Sequence, residues 1–247
     1  MTATPSSTGR IYGVGVGPGA ADLMTVRADR LIRAARRLAY FRKAGNPGQA
    51  RRIVDGMAPA DAVELPMDYP VTTEIPFADP RYGAMLSAFY ADCAGELRRL
   101  AEAGEDVVVL CEGDPFFYGS FMHLYVRLKA DVSVEVVPAV TGMSAAWTAS
   151  GVPATWGDDV LTVVPATLPE STLARRAADT DALVVMKVGR HLETVRRALD
   201  AAGRLNAAWL VENAAMPEER IRRLADTTDR AAPYFSIVLV HGEGRRP

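Results

Sequence analysis

Apolar positions along the chain fall into two recurring patterns. The unbroken run 107–111 (VVVLC) has the length and density of a strand buried on both faces, residues 11–16 (IYGVGV) of a short buried strand, and residues 38–41 (LAYF) and 132–137 of further strands. Between them lie stretches of helical period. Over residues 86–103, Leu86, Phe89, Tyr90, Cys93, Leu97 and Leu100 share one face, and Gly104 ends the run. Leu23, Val26, Leu31, Ile32 and Leu38 recur at near-helical spacing behind Asp22, which is placed to cap that helix. An alanine-rich helix is predicted from about Ser144. Beyond Gly151-Val152-Pro153, residues 160–164, 182–187, 208–211 and 236–240 are strand-like and are separated by helical stretches such as 192–202. This alternation predicts an α/β fold, and the break near Gly151 predicts two lobes, residues 8–152 and 153–247. The proline-crowded stretch around Met67–Glu74 is expected to be loop, and the Ser/Thr/Pro-rich first ten residues are expected to be disordered.

Composition narrows the function classes. The 247 residues carry 28 basic and 30 acidic side chains, a net charge of -2 that gives no bulk attraction to nucleic acid. Two cysteines, Cys93 and Cys111, cannot make a disulfide framework, which fits a reducing compartment. Residues 1–10 lack the apolar core of a signal peptide, and no apolar run approaches the ~20 residues of a membrane span. The expectation is a soluble cytoplasmic protein with neither a nucleic-acid nor a membrane partner.

Candidate chemistry lies in three loops, each following a predicted strand. In the first, GVGVGPG, the pattern Gly15-x-Gly17-x-x-Ala20 matches a relaxed dinucleotide fingerprint, and Arg42 and Lys43 after the next strand would suit an NADP phosphate. Pro18 counts against that reading, because it removes one backbone N–H from the phosphate cradle. A tight turn that needs glycine for positive φ is the plain structural alternative, and a non-catalytic nucleotide-binding module is a third. The second loop is residues 112–120 (EGDPFFYGS) and the third 138–144 (PAVTGMS). Open parallel sheets bind ligands outside the carboxyl ends of their strands, so three unusual loops at three such ends predict one shared crevice.

These residues resemble the tetrapyrrole methyltransferase superfamily. The matching segments are Val14–Gly19 with Asp22–Thr25, Gly113-Asp114-Pro115 with Tyr118-Gly119-Ser120, residues 137–141 (VPAVT), 184–189 (VVMKVG), 211–214 (VENA) with 217–220 (PEER), and 236–242 (SIVLVHG). Within the superfamily, residues 67–73 (MDYPVTT) and 141–144 (TGMS) are similar to members that methylate carbon 20 of precorrin-2 in cobalamin synthesis, with a sibling acting on another position or on the cobalt-loaded substrate as the alternative. The resemblance implies two α/β lobes, each a mostly parallel sheet flanked by helices, with S-adenosylmethionine between them, S-adenosylhomocysteine as product, and a homodimer. It implies that Pro18 borders the cofactor, with Glu112, Gly113, Asp114 and Phe117 along its amino-acid and ribose portions. Thr141 and Gly142 would line it from the next loop. Met186, Val188, Asn213, Ala214, Ser236 and Ile237 would contact adenine, largely through backbone groups. Relatives that act on uroporphyrinogen carry an aspartate after the second strand where this chain has Phe41, which favours a later precursor.

Methyl transfer to an electron-rich macrocycle requires positioning and the departure of one proton. Water, Asp114 or Glu112 are the acceptors to be weighed, although Asp114 before Pro115 is first a turn residue that bonds backbone. A substrate bearing acetate and propionate carboxylates calls for arginines, and Arg42 and Arg81, expected on loops near the opening, are the candidates. His123, His191 and His241 show no metal-ligand spacing with the cysteines, so no metal is expected. Ser120 and Ser144 lack a sequence-evident histidine partner, which argues against a hydrolase.

Overall fold

A computed structural model describes residues 8–72, 75 and 79–244. The chain divides into two compact units, Met1–Thr141 and Gly142–Pro247.

In the first unit five parallel strands stand in the order β3-β2-β4-β1-β5. They are β1 (Arg10–Gly15), β2 (Arg37–Lys43), β3 (Val63–Tyr69), β4 (Val107–Cys111) and β5 (Ser133–Val137). The helices are α1 (Val26–Arg33), α2 (Gln49–Ile53), α3 (Pro80–Glu102) and α4 (Phe121–Leu128). The unbroken apolar run of β4 has the cause inferred from sequence. Val107, Val109 and Cys111 face α3 and α4, packing among Tyr90, Leu97, Leu100, Phe121 and Leu124. Val108 and Leu110 face α1 and α2, among Ala28, Ile32, Ala50 and Ile53.

Several local expectations change. The stretch at Met67 is strand rather than loop, because β3 lies at the sheet edge, where Pro66 need not donate to a further strand. The first helix begins at Val26, capped by Thr25, whose hydroxyl accepts from the Ala28 N–H at 3.2 Å. Asp22 sits instead in a short 3-10 turn, and Leu38 belongs to β2. Helix α3 starts six residues earlier than its apolar stripe, with Asp79 as cap and Pro80 in its first turn. Gly9 is buried and its N–H donates to the Ala101 carbonyl at 2.8 Å, so order begins before Ile11; residues 1–7, Thr73 and Glu74 lie outside the described residues.

The second unit begins with α5 (Gly142–Ser150), nine residues ahead of the Gly151 turn at which the sequence suggests the break. The helix goes with this unit because Ala145 and Ala146 pack against Val184, Val211, Ile237 and Leu239. Its sheet runs β6-β7-β10-β8-β9, from β6 (Leu161–Pro165), β7 (Ala182–Met186), β8 (Ala208–Glu212), β9 (Arg220–Arg223) and β10 (Ser236–Val240). Strands β6, β7 and β8 share a direction, while β10 enters antiparallel between β7 and β8 and β9 closes the edge antiparallel to β8. Helices α6 (Glu170–Ala178) and α7 (Leu192–Ala201) cover the face opposite α5. No helix among the described residues is long and apolar enough to cross a membrane.

Candidate functional site

In the order β3-β2-β4-β1-β5 strands β1 and β4 are parallel neighbours, so the loops that leave their carboxyl ends lie side by side, where open parallel sheets bind ligands. The glycine loop and the Glu112–Ser120 loop occupy those two ends. Their backbones are joined: the Gly113 N–H donates to the Gly17 carbonyl at 2.8 Å, and the Val16 N–H to the Cys111 carbonyl at 2.9 Å. Gly17 has φ +80 and Gly113 φ +63, a region in which side chains are strained.

The loop after β5 is bound to the same assembly through Asp114. One carboxylate oxygen accepts from the Phe116 N–H at 2.9 Å, the other from the Ala139 N–H at 3.0 Å. The carboxylate thus closes its own turn and clasps the next loop. Gly15 lies where the three loops meet. A Cβ there would stand 2.6 Å from the Ala139 Cβ, 2.8 Å from the Gly113 carbonyl oxygen and 2.9 Å from the Pro115 Cδ. Pro18 is buried beside this junction, and Thr141 ends the unit after the third loop. Phe117 packs edge-on against Tyr118, which holds φ +56.

Glu112 differs from Asp114. It is half-buried, and its carboxylate has no hydrogen-bond donor and no ion-pair partner among the described residues. Loss of water around it, with no compensating charge, pushes its carboxyl up to about 8.

In the second unit the predicted residues gather at strand ends. Met186 closes β7, and Val188 follows Lys187 at φ +58; the Val188 side chain is buried in the α6–α7 core, leaving backbone groups for any ligand. Asn213 and Ala215, just after β8, hold φ +51 and +60. Ala214 and Ile237 pack in the α5 cluster, and Gly142 opens α5 with its Cα hydrogen facing the Ile237 Cδ1. Ser236, the first residue of β10, is buried, and its hydroxyl has no hydrogen-bond partner among the described residues. Backbone strain on non-glycine residues at strand ends, together with an orphaned hydroxyl, is what a ligand-holding surface shows when the ligand supplies the missing contacts.

The two candidate arginines are placed differently from expectation. Arg42 lies within β2, not on a loop, and its guanidinium holds Asp68 of the adjacent strand at 2.6 Å. Arg81 is in the first turn of α3 and grips the cap residue Asp79 at 2.7 Å. Both pairs exist because β2–β3 register and the helix cap bring an acid opposite each cation.

Sequence reasoning did not foresee what lies beside Phe41. That ring stacks on Tyr69 at 5.5 Å, near Phe89 and Tyr90, and the Tyr69 hydroxyl is hydrogen-bonded to the Ser120 Oγ. The MDYP segment, residues 67–70, was its only signal. The dinucleotide reading also loses its geometry. The fingerprint glycines lead into a 3-10 turn, and α1 starts only at Val26, so no helix N-terminus meets the loop.

A parallel sheet with a glycine-lined loop junction at its carboxyl edge, followed by a mixed α/β unit, defines a two-unit α/β protein of the ligand-binding type. The chain belongs to the Tetrapyrrole (Corrin/Porphyrin) Methylases, whose family model matches residues 10–227. It is 50% identical over 239 residues, 97% of this chain and 98% of the relative, to a precorrin-2 C(20)-methyltransferase from Sinorhizobium sp.. It is 30% identical to the cobalt-precorrin-2 C(20)-methyltransferase of Salmonella typhimurium, covering 94% of this chain and 96% of that one. Among solved structures, uroporphyrin-III C-methyltransferase from Thermus thermophilus, complexed with S-adenosylhomocysteine, superposes with a TM-score of 0.67 at 27% identity, covering 95% of this chain and 98% of that one.

Proposed function

We propose that the protein transfers a methyl group from S-adenosylmethionine to carbon 20 of precorrin-2, leaving S-adenosylhomocysteine, in cobalamin biosynthesis. The observation that carries this reading is 50% identity sustained over 97% of the chain with a precorrin-2 C(20)-methyltransferase. The cobalt-loaded substrate is the second reading, and 30% identity to the relative of that name makes it the weaker one.

The residues fit the cofactor. The clasped loops carrying Pro18, Glu112, Gly113, Asp114, Phe117 and Thr141 offer backbone groups to its amino-acid and ribose portions. In the second unit, Gly142, Met186, Val188, Asn213, Ala214, Ser236 and Ile237 offer an apolar surface, backbone groups and one unpartnered hydroxyl to adenine. When bound, S-adenosylmethionine brings an activated methyl group together with its own leaving group. The protein's work is therefore to orient the acceptor carbon, exclude water and take up one proton. Arg42 and Arg81 are proposed contacts for substrate carboxylates, which would have to compete with Asp68 and Asp79. A cytoplasmic homodimer, as implied by the resemblance, completes the proposal.

Calorimetry with S-adenosylhomocysteine and with NADP tests the cofactor class: binding of the first and not the second is expected, and the reverse overturns the reading. Mass analysis after incubation with precorrin-2 should show one added methyl group.

A further inference from the structure

Resting on the methyltransferase reading, we infer that Glu112 is the residue that accepts the proton released when the bridge carbon is methylated. Two carboxylates lie in the loop at the carboxyl end of β4, and their hydrogen bonds separate their roles. Asp114 has each oxygen engaged by a backbone N–H, from Phe116 and from Ala139. Both oxygens are committed to holding backbone, one its own turn and the other the next loop. Glu112, two residues away and still on the carboxyl edge of the sheet, has no donor to lose among the described residues. No charged side chain among the described residues acts on it either. Its neighbours along the chain are Cys111, a buried thiol at the end of β4 pushed upward chiefly by loss of water, and Gly113, beside which a Cβ would meet open space. A carboxylate in that setting gains a proton without breaking any contact. Burial alone raises its affinity into the range useful for catalysis at neutral pH.

The step balances. A carbon–carbon bond forms between the methyl group and the bridge carbon, and the sulfur–methyl bond breaks, its electron pair remaining on sulfur. The C–H bond at the bridge carbon then breaks, its electrons return to the macrocycle, and the Glu112 carboxylate becomes a carboxylic acid. A positive charge brought to the loop favours the carboxylate form, so cofactor binding primes the acceptor.

The test compares wild type with Glu112→Gln and Glu112→Asp. Glu112→Gln should lower single-turnover rate by about a hundredfold or more, with S-adenosylhomocysteine affinity within about threefold of wild type. Wild-type rate should rise with pH through an inflection at or below about 8, because the acceptor must be deprotonated, and Glu112→Gln should lose that inflection. Glu112→Asp should restore part of the rate. Independently of activity, a carbon-13 carboxyl resonance absent from Glu112→Gln should titrate above the ordinary glutamate range in the wild-type protein. If Glu112→Gln weakens cofactor binding yet turns over normally at saturation, Glu112 is a cofactor contact and the inference is overturned. Unchanged turnover and affinity overturn it too. Wild type that binds no S-adenosylhomocysteine would instead remove the methyltransferase reading itself.

Discussion

The two units make the bends after their strands by different means. In the first, the chain turns mainly on glycines: Gly17 and Gly113 hold positive φ, Gly15 has no room for a side chain, and Tyr118 at φ +56 is the one non-glycine exception among its described residues. Its polar groups there are largely satisfied, with Asp114 and the Gly113 N–H both bonded across loops. In the second unit, Lys187, Asn213 and Ala215 adopt the left-handed conformation without being glycine, and the Ser236 hydroxyl is buried without a partner among the described residues. Glycine makes a rigid, preformed junction. Strain on ordinary residues marks a surface whose geometry is held by surrounding packing and completed by a ligand.

The strongest way to break this contrast is to crowd the glycine junction. Gly15→Ala drives a methyl into Ala139, the Gly113 carbonyl and Pro115, none of which is a flexible side-chain end. Urea unfolding should show a loss of about 2–3 kcal/mol, and S-adenosylhomocysteine binding should fall below detection. Next comes Asp114→Asn, which keeps one acceptor but turns an NH2 toward the other N–H. Its expected cost is about 1.5–3 kcal/mol in the same assay, with weakened cofactor binding.

A matched pair sharpens the comparison further. Gly113→Ala has open space for its Cβ but must adopt φ +63, so about 1–2 kcal/mol should be lost. Ala215→Gly relieves φ +60 in the second unit and should raise stability by under about 1 kcal/mol, the relief exceeding the added chain entropy. Thermal melting of both variants checks the opposite signs; the same sign for both would dissolve the distinction. The smallest effects belong to the arginines. Arg42→Glu and Arg81→Glu should each raise the substrate KM by no more than about tenfold, leaving S-adenosylhomocysteine affinity unchanged. A flat KM removes that residue from the substrate surface.

What was legible in the sequence follows the same division. Glycine and proline announce backbone geometry by their chemistry, so the loops after β1 and β4 were readable, as was the double-sided burial of β4. Edge strand β3 was hidden because Pro66 is a loop signal everywhere except at a sheet edge, and nothing local tells the chain where that edge lies. The start of α1 was misread because Asp22 and Thr25 are both good caps, and tertiary context chose Thr25. In the second unit, no residue type marks positive φ at Lys187 or Ala215, and the antiparallel entry of β10 depends on pairing partners far apart in the chain. Arg42 looked available because its partner Asp68 is set by strand register, which sequence spacing does not display.

The most direct measurement is carbon-13 NMR of the product formed from precorrin-2 and methyl-labelled S-adenosylmethionine. The account predicts a single labelled methyl group on carbon 20. Label at another carbon, or precorrin-2 recovered unmethylated, would contradict it.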